Sequence, residues 1–208
     1  NSLSPAKMRK ANKLRAVKHM QRLINANFGS GDFFCRFSAP YGTYESEKKF
    51  RAEVGKWLDR INYRLKKQGK GRLKYIAFIE CGKSGKNWHI HIIVSKEDRE
   101  LLSEQWPYEN GQNFTPLYKN ENFKKLAEYI TKDLTGKEDV DAAQKRMMTS
   151  RNLKKPESVT RKAKKREIRA LERGEMIEPP EGHYLIEDDY SMNYSDIGGA
   201  KWYFCFLP

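Results

Sequence analysis

Long apolar runs, paired cysteines, internal repeats and Gly/Ser-rich linkers are all missing from this 208-residue chain. Each absence removes a class of answer. No stretch of about 18 apolar residues exists to span a bilayer, and no signal-peptide pattern opens the sequence, so the expectation is a cytoplasmic protein with no membrane partner. The three cysteines, Cys35, Cys81 and Cys205, are far apart, odd in number and outside any Cys-x-x-Cys pair. They are read as reduced thiols. Acidic residues are also short, 27 against 41 Lys and Arg, for a formal net charge of +14. That excess suits a polyanion, and without a membrane signature nucleic acid is the favoured partner.

What is present reads as one substantial domain with extensions. Residues 5–27 have the spacing of a basic helix with a partial stripe of Leu14, Val17, Leu23 and Ile24. Phe33 to Ser38 suits a strand, and 45–67 return to helical spacing with Phe50, Val54, Trp57, Leu58, Ile61 and Leu65 on one face. KYIAFIE at 74–80 and WHIHIIV at 88–94, joined by CGKSGKN, form a strong hairpin signal. Residues 121–134 read as a helix with Phe123, Leu126, Ala127, Ile130 and Leu134 inward and Gly136 beyond its end. Residues 147–173 are heavily basic, a loop and then an exposed helix stopped by Gly174 that is expected to order on DNA. An acidic, turn-rich stretch follows, and the final KWYFCFLP reads as a strand or anchor docking on the core. The expected organisation is a basic helix over 1–30, a core over 31–146 and an extension over 147–208 belonging to the same domain.

His89 and His91 are two apart in a β-rich run, so both imidazoles project to one side of a sheet. Glu80 ends the preceding strand and can reach the same ion across the hairpin. Two imidazoles and a carboxylate suit a divalent cation and leave positions open for phosphate oxygens and water. Mn²⁺ and Mg²⁺ are the natural candidates, with Zn²⁺ as the alternative. The competing reading, two polar residues on the solvent face of a strand, is weakened by the isoleucines around them and by a total of only four histidines.

Tyr129 and Lys132, three apart on the 121–134 helix, share a flank outside the apolar stripe. A tyrosine hydroxyl can attack a phosphodiester and conserve its energy in a phosphotyrosyl link. Its ordinary pKa of about 10 calls for help, which a metal on the phosphate and the Lys132 ammonium would provide. The alternative is two surface residues. GKSGK at 82–86 is not a phosphate-binding loop, because that motif needs Gly where Ala77 stands. Lys83 and Lys86 in the hairpin turn, Arg36 on the first strand, and Arg151, Asn152 and Lys154 after the tyrosine helix are candidate DNA contacts. Tyr41, Tyr44, Trp88 and Trp106 are candidates to stack bases, with core packing as the alternative.

WHIHIIV resembles the His-hydrophobic-His motif of the HUH endonucleases, and Tyr129-Ile130-Thr131-Lys132 resembles the single-tyrosine Tyr-x-x-Lys motif of rolling-circle replication initiators of bacterial plasmids and phages. LINANFGSGDFF at 23–34 and SRNLKKP at 150–156 extend the resemblance, while Cys35-Arg36-Phe37-Ser38 departs from the usual Thr-rich strand. The order of histidines before tyrosine favours an initiator over a conjugative relaxase; transposases of the same superfamily share the order. The resemblance implies an α+β fold, with an RRM-like central antiparallel sheet, flanking helices, the histidines on a middle strand and the tyrosine helix alongside. It also implies nicking of single-stranded or hairpin DNA at an origin through a 5′-phosphotyrosyl link. Partners would be a host helicase and polymerase, with termination by a second subunit, as in a dimer on DNA, or by another acceptor. The rival from another class is a non-catalytic basic nucleic-acid-binding module.

Overall fold

The computed structural model describes residues 4–82, 84–118, 122–132, 147–157, 159–185, 191–194 and 200–207. Leu134 and Gly136, named above as the end of the tyrosine helix, lie outside them. The chain divides into two compact units, Asn1–Lys155 and Pro156–Pro208.

The first unit is built on strands β1 (Phe33–Ser38), β2 (Tyr75–Cys81), β3 (Trp88–Val94), β4 (Gln112–Pro116) and β5 (Met147–Thr149). They form one antiparallel sheet in the order β4-β1-β3-β2-β5. The α+β expectation of a central antiparallel sheet with flanking helices holds, with the histidine strand β3 in the middle. Helix α1 (Pro5–Asn25) and helix α4 (Lys124–Thr131) lie on one face; α2 (Glu47–Lys67) and α3 (Arg99–Gln105) lie on the other.

Side chains alternate across a strand, so each face has its own core. On the α2 face Cys35, Phe37, Ala77, Ile79, Ile90, Ile92 and Val94 meet Phe50, Val54, Trp57, Leu58, Ile61 and Leu65, the six residues that the helical spacing of 45–67 puts on one side. Phe37, Trp57 and Trp106 pack with ring centroids 4.8 to 5.4 Å apart, and the Trp57 indole donates to Leu102 O at 3.2 Å. Such ring pairs add about 0.5–1.5 kcal/mol each beyond burial. Ser46 caps α2 by accepting from Lys49 N, and Gly69, at φ +70°, turns the chain out at its end.

On the opposite face Ile76, Phe78 and Ile93 are covered by Val17, Met20, Ile24 and Phe28 from α1 and its exit, and by Phe123, Ala127 and Ile130 from α4. Leu14, expected in the stripe of α1, is instead 56% exposed, and Met20 takes the inward position. The reason is angular: Val17, Met20 and Ile24 follow the i, i+3, i+7 row that faces the sheet, and the helix projects beyond the sheet before reaching Leu14.

The second unit holds helix α5 (Lys165–Glu172) and two ribbons, β6 (Tyr184–Leu185) with β9 (Phe206–Leu207) and β7 (Ser191–Tyr194) with β8 (Ala200–Tyr203). The C-terminal run therefore pairs inside its own unit and does not add a strand to the five-stranded sheet. Glu167 accepts from Lys164 N at 2.7 Å and pairs with Arg161, which starts α5 without DNA. Its exposed end turns at Gly174, φ +79°, as the sequence suggests.

Candidate metal and tyrosine site

The register of the β2–β3 hairpin brings the metal candidates together. Glu80 is the direct cross-strand partner of His89, and His91 faces Phe78 one row further on. All three point to the α4 face, where their donor atoms lie within 4.8 Å of one another. Glu80 Oε2 is 3.3 Å from His89 Nε2 and 3.1 Å from His91 Nε2. His89 and His91 are 7% and 6% exposed, so neither is a solvent-facing strand residue.

Each histidine is oriented differently. His89 Nδ1 meets the Asn87 carbonyl at 3.2 Å, leaving Nε2 on the side of Glu80. The same carbonyl accepts from Gly82 N at 2.9 Å and closes the base of the hairpin. His91 Nδ1 is buried and finds no hydrogen-bond partner among the described residues. That ring is held by stacking, on Phe78 at 4.8 Å and on Phe34 at 5.2 Å.

Tyr129 stands edge-on over this aromatic floor, 5.6 to 6.0 Å from His91, Phe78 and Phe34. Its hydroxyl is 3.4 Å from Glu80 Oε2 and 3.4 Å from His91 Nε2. Lys132 Nζ reaches Glu80 Oε1 at 3.3 Å and lies 4.0 Å from the Tyr129 ring centroid. The five residues read from spacing and resemblance thus meet in one place, although Tyr129 and Lys132 are about 40 to 50 residues from the hairpin.

The electrostatics follow from that crowding. Hydrogen bonds from His89 and His91, helped by Lys132, hold the Glu80 carboxyl well below the usual carboxylate range. Burial pulls the His91 imidazole below its ordinary value, against the opposing pull of Glu80. Burial and then the Glu80 charge push the Tyr129 phenol up, and Lys132 works the other way. Two buried imidazoles and an ionised carboxylate converging from adjacent strands are a donor set that fits one divalent cation.

The DNA candidates are more scattered. Arg36 is exposed, opposite His91 on the neighbouring strand and on the same face of the sheet. Lys86 is exposed in the hairpin turn, and Lys83 lies outside the described residues. Arg151 is exposed. The Asn152 amide donates to Arg72 O at 2.8 Å, and Lys154 is clamped through its backbone by both polar atoms of Asn27, leaving its side chain outside. Tyr41 is 68% exposed, whereas Trp106 is buried and Trp88 and Tyr44 pack on Phe50. The Tyr44 hydroxyl pairs with that of Tyr108 at 2.7 Å. Sequence reasoning missed the floor of Phe34 and Phe78 and the Asn87 carbonyl; the period-2 alternation with Ile76 and Glu80 could have flagged Phe78.

Residues 42–138 match the family model for replication-associated proteins of the ORF2 and gene II protein type. The match is just under half of the chain and contains Glu80, His89, His91, Tyr129 and Lys132. No curated protein and no solved structure gives a significant match. Among the described residues no helix is long and apolar enough to cross a membrane. The matched family supports a replication-initiator-like protein that works on DNA.

Proposed function

We propose that this chain is a metal-dependent endonuclease and strand transferase of the HUH type, which nicks single-stranded DNA at a replication origin through Tyr129 and later rejoins it. The observation that carries this reading is the Tyr129 hydroxyl 3.4 Å from both Glu80 and His91, beside a His-His-Glu donor set. Glu80, His89 and His91 would hold Mn²⁺ or Mg²⁺, with Zn²⁺ less favoured. A cation there would draw charge from the scissile phosphate.

In the nick the Tyr129 oxygen bonds to phosphorus, the phenol loses its proton, and the bond to the 3′ oxygen breaks as that oxygen takes a proton. The 5′ phosphate stays on Tyr129 and a free 3′ hydroxyl is left, so the reverse attack reseals the strand without ATP. Lys132, against the ring, offsets charge on the phenolate and phosphate. The Glu80 charge is one of the groups that keep the phenol protonated; its neutralisation by a bound cation lowers that barrier. Arg36, Lys83, Lys86, Arg151, Asn152 and Lys154 are the phosphate contacts of this reading, and duplex opening falls to a host helicase.

The test is a denaturing gel of labelled single-stranded and hairpin oligonucleotides incubated with wild type or Tyr129→Phe, in Mn²⁺ or EDTA. A covalent protein–DNA band is expected for wild type with metal only. A pool that contains the cognate origin, is bound, and yields no adduct with any divalent ion would sink the nuclease in favour of a non-catalytic binding module.

A further inference from the structure

Helix α1 precedes the segment matched by the replication-associated family, which begins at residue 42. Yet α1 is what holds the start of the tyrosine helix. Gln21 is 4% exposed in an otherwise basic helix, a burial that a polar side chain needs a partner to tolerate. Its amide donates to the Asn122 carbonyl at 3.0 Å. One turn later the Asn25 amide donates to the same carbonyl at 2.9 Å and also reaches Gln21 O.

The carbonyl they share sits at a strained place. Asn122 and Phe123 both have positive φ, 45° and 55°, where side chains other than glycine are uncommon and each such residue costs about 1–3 kcal/mol. No side chain caps α4 at Phe123, and the first bond of the helix, Ala127 N to Phe123 O at 2.9 Å, begins directly after the turn. A helix of eight residues is too short to hold itself, so its orientation comes from what grips it. Phe123 anchors it by burial, and the two amides set where the chain must turn. Tyr129 follows within two helical turns, so a rotation at residue 122 carries its hydroxyl off the aromatic floor.

We propose that Gln21 and Asn25 are positioning residues for Tyr129: by pinning the Asn122 carbonyl they fix the left-handed turn that aims α4, and the N-terminal helix is thereby part of the reaction machinery. This rests on the reading of Tyr129 as the nucleophile. The clamp itself stands on geometry alone.

The test uses the full chain with Gln21→Met, Asn25→Leu and the double variant, residues of similar size and good helix propensity, so that α1 is not weakened. Two quantities are read: amide hydrogen exchange across α4, β2 and β3, and single-turnover adduct formation at saturating oligonucleotide with Mn²⁺. In the double variant α4 amides should exchange about tenfold faster while β2 and β3 are unchanged. Adduct formation should slow about ten- to a hundredfold with oligonucleotide affinity unchanged, and each single variant should recover part of the rate. Wild-type exchange in α4, acceleration shared by the whole sheet, or affinity falling in step with rate would each overturn the proposal. If wild type forms no adduct the nucleophile reading falls by itself; acceleration confined to α4 then still supports the clamp, and its absence overturns it.

Discussion

Four donors surround one carboxylate in this site. Glu80 Oε2 faces His89, His91 and Tyr129, and Oε1 faces Lys132. A group so surrounded can be satisfied by protein hydrogen bonds in the metal-free state and exchange them for a cation, since the imidazoles that approach it carry lone pairs at the same nitrogens. Glu80→Gln keeps the shape and removes the charge, leaving two neutral nitrogens to hold the ion. Mn²⁺ affinity should fall by at least about a hundredfold by calorimetric titration, with the thermal melt in EDTA retained. An unchanged affinity would mean that the histidines bind without the carboxylate. At this scale the spacing of His89 and His91, the strand end at Glu80 and the Tyr129–Lys132 pair were readable because each is a local pattern. Gln21 and Asn25 were not, because their partner Asn122 lies about 100 residues away and an amide to a carbonyl leaves no motif.

Elements were readable where they are long and amphipathic. The stripe of α2 is buried residue for residue, and β1 and β3 begin and end as the β-rich runs do. Helix α3 and strands β4 and β5 were not foreseen. QNFTP carries Pro and Asn, β5 has three residues, and both strands sit at sheet edges, where pairing with β1 and β2 rather than intrinsic pattern makes them strands. The hairpin between β2 and β3 carries a further constraint that its turn chemistry only hints at. A Cβ on Gly82 would come 3.1 Å from Asn87 Cβ, while the Asn87 carbonyl holds both Gly82 N and His89 Nδ1. Gly82→Ala should therefore splay the base of the hairpin and turn the His89 ring. Mn²⁺ binding is expected to weaken by roughly tenfold with a stability loss near 1 kcal/mol, read by titration and by thermal melting. Loss of stability with metal affinity intact would place the strain elsewhere than at His89.

Charge is segregated along the whole molecule. The net charge is +14, yet acidic residues outnumber basic ones in Pro156–Pro208, so the entire excess belongs to Asn1–Lys155. The basic run of the second unit is also partly neutralised locally, Arg161 by Glu167 and Arg173 by Glu175. Exposed pairs of this kind add little stability, but they occupy guanidinium groups that a phosphate would otherwise use. The sheet, both of its cores, the donor set and Tyr129 all lie in the first unit. A chain ending at Lys155 should consequently melt cooperatively, bind Mn²⁺ as the full chain does, and bind single-stranded DNA with the same dependence of affinity on salt. Because that slope counts the phosphates neutralised by Lys and Arg, a shallower one in the shortened chain would assign phosphate contacts to the 161–173 segment. A melt without cooperativity would instead mean that residues 156–208 complete the core, and the catalytic body would then be the full chain.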